Sequence, residues 1–394
     1  MRTGRGWLLL LLIVVSGCQP PPALDQQLYI WQRQWRPSHG PALAASRQDF
    51  STLRLLALQY HPQAGWAEAR PDLALLATDG RPLVAVVRLD GQLTGVSRQQ
   101  LQQRILPLLA RWQQAGVNLS GLEIDHDCRL SQLPAYRQLL SDLRPALPAA
   151  LTLSITALPS WLESTELPAL LTSVDHSVLQ LHSVDHPERG LFDGERAARW
   201  AERWGEISPR PYYLALPAYG LALINSGDGP PLVEGEVALA TAGPRRELQV
   251  SPQLLADFVS QLQADPPPGL AGLLWFRLPL ADDRRSWPMA TLLAVVRGQP
   301  LAGQPQLTIN QQGNLAEFSL SNSGNAPLAL PATLTVPASG CTAADGLRHY
   351  RTQISSDQLQ LQRRLDGELA AGQQLPLGWA RCHHLDPQGW TFEP

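Results

Sequence analysis

From residue 28 to about residue 298, apolar residues gather into short dense runs separated by longer stretches in which they recur every three or four positions. Dense runs of that length fit buried strands, and the wider spacing fits helices with one apolar face. The strand candidates are "LYIWQRQW" (28–35), "LRLLALQY" (53–60), "PLVAVVRLD" (82–90), "LSGLEIDHD" (119–127), "LTLSITAL" (151–158), "HSVLQLHSV" (176–184), "YYLALPAYG" (212–220) and "GLLWFRLP" (272–279). Helix-compatible stretches cover 97–115, 131–143, 194–204, 252–263 and 287–296. Ser97, Ser131 and Ser251 stand at three of their starts, where a hydroxyl can cap free backbone N–H groups. Eight βα units predict an α/β fold, a closed (β/α)8 barrel of the TIM type spanning 28–298. An open dinucleotide-binding sheet is disfavoured, because no Gly-rich loop follows the first strand. The 221–250 connection, which carries "NSGDGPP", is too long for a plain loop and predicts a hairpin or lid over the barrel mouth.

From residue 299 the texture changes to short alternating segments split by Gly, Asn and Pro, as in "LTINQQGNLAEFSLSNSGNAPLALPATLTV". That pattern predicts a small all-β, immunoglobulin-like sandwich over 299–394. It carries no ladder of aromatics, so a structural or spacing role is expected of it rather than sugar binding.

At the other end, Arg2 and Arg5 precede "WLLLLLIVV", a run too short to span a bilayer but as long as a signal-peptide core. The run closes in "VSGC", which resembles a bacterial lipoprotein signal and makes Cys18 the expected lipid-bearing residue. A signal anchor with an incidental Cys is the alternative. By the same resemblance, Gln19 rather than Asp after the Cys implies the outer membrane, and Pro20, Pro21 and Pro22 supply a stiff tether. Residues 1–27 are therefore read as export signal, anchor and tether. The expected location is the periplasmic side of the outer membrane.

Charge narrows the partners. The 394 residues carry 31 basic and 34 acidic side chains, a net charge of −3, and no basic run, so nucleic acid is not an expected partner. Every basic residue is Arg; with no Lys, Schiff-base, pyridoxal and phosphate-loop lysine chemistries are excluded. Oxidation is permitted in an exported chain, and Cys341 and Cys382 in the C-terminal segment are the expected disulfide. Cys128 is left as a small buried residue.

The chemistry concentrates in "GLEIDHDC" (121–128). Strand periodicity puts Glu123, Asp125 and Asp127 on one face and Leu122, Ile124 and His126 on the other. In a barrel the charged face must be the interior, rising towards the C-terminal mouth. Neighbouring acids about 6.6 Å apart repel by roughly 2.5 kcal/mol at an effective dielectric of about 20. That pressure favours keeping a proton on one of them, the condition for general acid catalysis. Two other readings stand beside this one: structural ion pairs, with Arg88 on the third strand as partner, and a metal site using His182. The metal reading is the weaker, because His126 faces away from the acids and the ligand set would be irregular.

"GLEIDHD" resembles the fourth-strand signature of family 18 glycoside hydrolases, the chitinase-like barrels, which runs Gly, apolar, Asp, apolar, Asp, any residue, Glu. "LPAYG" (216–220) resembles that family's seventh-strand Pro-x-Tyr-Gly, and Trp275 follows the "GLL" that opens the eighth strand. Together "YIWQRQW", "GLEIDHD" and "LLWFRLP" resemble a family of bacterial lipoproteins, domain of unknown function 3142. The chain departs from the chitinase pattern in three places. Asp127 stands where a Glu would, the third strand reads "VRLDG" in place of Ser-x-Gly-Gly, and the sixth reads "QLHSVD" in place of Met-x-Tyr-Asp.

The resemblance implies that Asp127 protonates the leaving oxygen and then activates water, while Asp125 orients a substrate N-acetyl group; Glu123 completes the acidic trio. It implies that Tyr219 donates to the acetamido oxygen and that Trp275 floors a sugar subsite. Inward parity adds Gln180 and His182. Arg88, Gln59 and Thr156 lie at inward-compatible strand ends, as ligand contacts or as structural partners. The expected function is hydrolysis of a glycan, one containing N-acetylhexosamine, without metal or organic cofactor. A barrel that binds saccharide or protein without turnover is the competing expectation.

Overall fold

The computed structural model describes residues 23–91, 96–182, 190–224, 232–234, 241 and 243–394. The export signal, Cys18 and "NSGDGPP" lie outside the described residues.

Eight parallel strands form the barrel: β1 (Asp25–Ile30), β2 (Thr52–His61), β3 (Leu83–Leu89), β4 (Leu119–Asp125), β5 (Thr152–Ala157), β6 (His176–Gln180), β7 (Tyr212–Pro217) and β8 (Leu270–Phe276). Each pairs with the next, and β1 pairs with both β2 and β8, with Leu28 opposite Leu53 on one side and Trp275 on the other. The sheet is therefore closed and has no barrel edge. All eight predicted strands are present, with their ends moved by a few residues. β1 begins at Asp25, inside the stretch read as tether. β7 stops at Pro217, so "LPAYG" spans a strand end and the turn after it.

Helices α1 (His39–Ser46), α2 (Leu73–Asp79), α3 (Arg98–Gln114), α4 (Leu133–Leu143), α5 (Leu167–Thr172), α6 (Gly194–Ile207), α7 (Pro252–Ala264) and α8 (Met289–Val296) alternate with the strands. In α3, Leu101, Ile105, Leu108 and Trp112 are buried at helical spacing, and Ser97 and Gln100 form a reciprocal capping box. Ser251 caps α7 as expected. Ser131 does not cap; it lies in a 3-10 turn (Leu130–Gln132), and α4 starts one turn later with Pro134 in its first turn, where a missing N–H costs nothing.

The long connection after β7 holds an antiparallel sheet in which Gly220–Ile224 lies between Leu232–Glu234 and Arg245–Gln249. This matches the expected hairpin. A Cβ at Gly220 would stand 2.6 Å from the Leu248 carbonyl oxygen, so the close strand approach requires glycine there. A short strand, Gly65–Glu68, folds back on the end of β2, an element the pattern did not predict.

Strand parity divides the apolar residues into two layers. Leu28, Leu122, Ile124, Leu273 and Trp275 point outward into the core shared with the helices. Tyr29, Val86, Val178, Ala215 and Leu274 point inward with Trp31, Tyr213 and Phe276. From Pro305 the chain forms antiparallel sheets, one of four strands and one built on Thr333–Ser339, Tyr350–Ile354 and Gln358–Arg363. These enclose a core of their own that includes Phe318, Leu334, Val336 and Leu361. Cys341 and Cys382 are disulfide-bonded, and Cys128 is a buried free thiol. Among the described residues, no helix is long and apolar enough to cross a membrane.

Candidate functional site

The parity of β4 holds. Glu123 and Asp125 point into the barrel, Leu122 and Ile124 point out, and His126 also points out, with its Nδ1 2.8 Å from the Leu89 carbonyl oxygen. The acids nevertheless occupy two storeys with different surroundings.

The lower storey is closed. Glu123 is fully buried, accepts a hydrogen bond from the Tyr29 hydroxyl at 2.6 Å, and pairs with the buried Arg54. Arg54 also donates to Gln27 (2.9 Å), to Ser154 (3.1 Å) and to His176 Nε2 (2.9 Å). Burial pushes the Glu123 carboxyl up, while Arg54 and the Tyr29 hydroxyl pull it down; the net direction is upward. His176 is pushed down to about 3, by burial first and by Arg54 second, as befits a ring nitrogen that accepts from a guanidinium. Glu123 does not line the mouth cavity. The expectation of Glu123 as a third catalytic acid is corrected: with every oxygen engaged by internal donors, it has no face left for a ligand.

The upper storey opens into a cavity of about 350 Å³ at the C-terminal end of the strands. Its centre is Arg88, whose three nitrogens each contact a different carboxylate at 2.8 Å: Nε to Asp90, Nη1 to Asp125 and Nη2 to Asp127. Asp125 is buried and also accepts from the Thr156 hydroxyl at 2.5 Å. Burial raises its proton affinity; Arg88 opposes this and Asp127 adds to it. Asp127 follows the end of β4, and its side chain is 36% exposed. Asp90 is pushed up by burial, but hydrogen bonds from Gln59 and Arg88 outweigh that and hold it below the usual carboxylate range. The Arg88 guanidinium loses solvation, yet Asp125 and Asp127 raise its pKa on balance.

Opposite the acids stands an aromatic wall. Phe276 makes edge contacts with Tyr29, Trp31 and Tyr219, and His182 stacks on it at 5.3 Å between ring centres. His182 is pushed down to about 4 by burial, so its ring is neutral at pH 7, and Tyr219 is pushed up to about 12 by burial. The Tyr219 hydroxyl lies 3.4 Å from His182 Nδ1, and Gln180 Nε2 lies 3.4 Å from Asp127. Gln59 accepts from Arg33 and donates to Asp90.

Asp125, Asp127, Arg88, Gln59, Thr156, Gln180, His182 and Tyr219 thus meet in one cavity. Trp275 does not join them. It is fully buried on the outer face of β8, with its indole N–H on Gln26 at 2.7 Å and Trp287 nearby, and its neighbour Phe276 takes the inward position. Trp31, Arg33, Asp90 and Phe276 line the same cavity without being among the residues expected from the sequence. Parity from Tyr29 would have found the first two, and the "VRLDG" quoted for the third strand already contains Asp90. Among the described residues there is no group of three or more His, Cys, Asp or Glu set to hold a metal ion. Where carboxylates do converge, a guanidinium fills the space between them.

A closed parallel eight-stranded barrel with its ionisable residues at the C-terminal mouth defines the chain as a TIM-barrel protein with an acidic, aromatic-walled site. The chain belongs to the family described as "Domain of unknown function (DUF3142)", which matches residues 79–281, just over half of its length. A second family, "Domain of unknown function (DUF8456)", matches residues 305–383 in the β region. Among solved structures, the chain is similar to the spore cortex-lytic enzyme SleL of Bacillus cereus. That similarity is 13% identity over 70% of this chain and 74% of that one, with a TM-score of 0.49. It is also similar to a chitinase from Chromobacterium violaceum (14% identity, 70% and 98% covered, TM-score 0.48). No curated protein matches the chain.

Proposed function

We propose that the barrel mouth binds a saccharide and hydrolyses a glycosidic bond with the Asp125–Asp127 pair. The observation that carries this reading is the contrast between the two carboxyls on one guanidinium. Asp125 is buried with raised proton affinity, Asp127 is open to the cavity, and aromatic rings line the same cavity of about 350 Å³. In this scheme Asp127 delivers a proton to the leaving oxygen as the anomeric C–O bond breaks, then takes a proton from the water whose oxygen bonds to the anomeric carbon. Asp125, held by Thr156 and Arg88, shares the proton that its burial favours with Asp127 and carries the negative charge once Asp127 has taken that proton. The fourth-strand resemblance adds an acetamido oxygen as the first nucleophile, which Tyr219 would position.

One observation favours a second reading, binding without turnover. Arg88 contacts both carboxylates, and at Asp125 it favours the ionised form, against the protonated state on which the acid–base reading depends. The test is turnover of chitooligosaccharides and peptidoglycan fragments by the wild type and by Asp127→Asn. Hydrolysis that disappears in the variant supports the enzyme. Binding by both proteins with turnover by neither leaves the binding barrel.

We propose further that the chain is exported, lipid-anchored through Cys18 and held at the outer membrane facing the periplasm. The signal-like run and "VSGC" support this. Mass spectrometry of the mature N-terminal peptide tests it: a diacylglyceryl adduct on Cys18, absent in Cys18→Ser, is expected.

A further inference from the structure

We infer that the saccharide carries a carboxylate and that Arg33 receives it; this rests on the carbohydrate reading above and names its ligand class. Two guanidinium groups line the cavity. Arg88 is saturated, each of its nitrogens engaged by a separate aspartate. Arg33 is not: its Nε (3.1 Å) and Nη2 (2.6 Å) both donate to one neutral acceptor, Gln59 Oε1. Among the described residues, no carboxylate lies within ion-pair distance of it.

The grip on Gln59 orients this charge. Gln59 accepts from Arg33 and, through Nε2, donates to Asp90 at 2.5 Å, and Asp90 is held in turn by Arg88. A relay of hydrogen bonds therefore runs from the reactive carboxylates to Arg33 and fixes its fork at the rim. The edge formed by Nη1 and the remaining N–H of Nη2 is left for a ligand, the geometry that a planar carboxylate matches with two parallel bonds. The charges agree. With one proton shared between Asp125 and Asp127, the acid-competent state, the aspartates of the cavity carry two negative charges against the two guanidinium groups, so Arg33 is balanced only at a distance. A ligand carboxylate at the rim would meet a positive end, with Asp90 shielded behind Gln59 and held by Arg88, and Asp125 and Asp127 on the far side of Arg88. A neutral sugar would leave that end unmatched.

Two kinds of sugar share this chemistry, uronic acids and amino sugars bearing a lactyl ether. Calorimetric titration of the whole protein with oligouronates and with lactyl-ether glycan oligomers, each beside its methyl ester, separates them. The expected result is an acid that binds about tenfold tighter than its ester in one series, a ratio set by a charge-assisted bond. The ratio should shrink as salt is raised. It should fall to about one in Arg33→Gln and be partly kept in Arg33→Lys, which retains the charge without the fork. Equal affinity of acid and ester in both series overturns the inference without recourse to any variant, as does a preference that persists in Arg33→Gln. Failure here is distinguishable from failure of the hydrolase reading. Turnover of neutral chitooligosaccharides with no acid preference removes the Arg33 subsite alone, and an acid preference with no turnover removes hydrolysis alone.

Discussion

Asp127 meets Arg88 Nη2 at 2.8 Å, while the neighbouring Nη1 holds Asp125 at the same distance. One cation therefore pairs with both acids, and at Asp125 it opposes the upward push of burial. Removing it in Arg88→Met lets Asp125 keep a proton to higher pH. A general acid is active while protonated, so the high-pH limb of any hydrolytic pH profile is expected to move up by about one unit or more. Rates measured across pH check this, with an unmoved limb counting against the pair.

Glu123 and Asp127 share a parity but not a task. Glu123→Gln leaves the buried Arg54 uncompensated and should cost about 3–5 kcal/mol in urea unfolding. Asp127→Asn, at a partly exposed site, should cost under about 1 kcal/mol yet lower turnover about 100-fold or more. The opposite pattern would place the chemistry on the lower storey.

His182 and His176 make the fold sensitive to acid. Burial pushes them down to about 4 and about 3, below the ordinary imidazole value of about 6.5, so below that pH the unfolded chain binds protons that the folded chain refuses. The stability they contribute is present above 6.5 and is lost as pH falls through the window down to the folded values. His182→Gln should flatten the fall in melting temperature between pH 6.5 and 4, an effect of up to about 3 kcal/mol. An unchanged slope would show that His182 is not the group that titrates.

Adjacent aromatics on β8 separate packing from recognition. Trp275→Ala empties a fully buried site and should destabilise by about 3–5 kcal/mol. Phe276→Ala removes a cavity wall and should weaken saccharide affinity more than any substitution on the outer face of the strand that leaves folding intact. Chemical denaturation and calorimetry read the two effects independently.

The Cys341–Cys382 bridge closes a separation of 41 residues, for which chain entropy gives about 4 kcal/mol. Reduction should lower the unfolding midpoint of the β region while Trp fluorescence from the barrel core changes little below it. A single transition lowered throughout would instead show that the two cores unfold together.

The sequence by itself determined the barrel, the antiparallel C-terminal region, the hairpin after β7, the disulfide, and the face on which the acids of β4 lie. Each follows from local periodicity or from residue chemistry, and both are properties of neighbours along the chain. Only the tertiary structure decided company. Order along β4 already ranks Asp127 above Glu123, but which level is sealed depends on what neighbouring strands bring to it, and Arg54 and Tyr29 close over Glu123 while Asp127 reaches the open cavity. Trp275 and Phe276 show the same limit. One step along a strand exchanges interior for exterior, and the phase is fixed by pairing with β1 and β7, contacts that no local window contains.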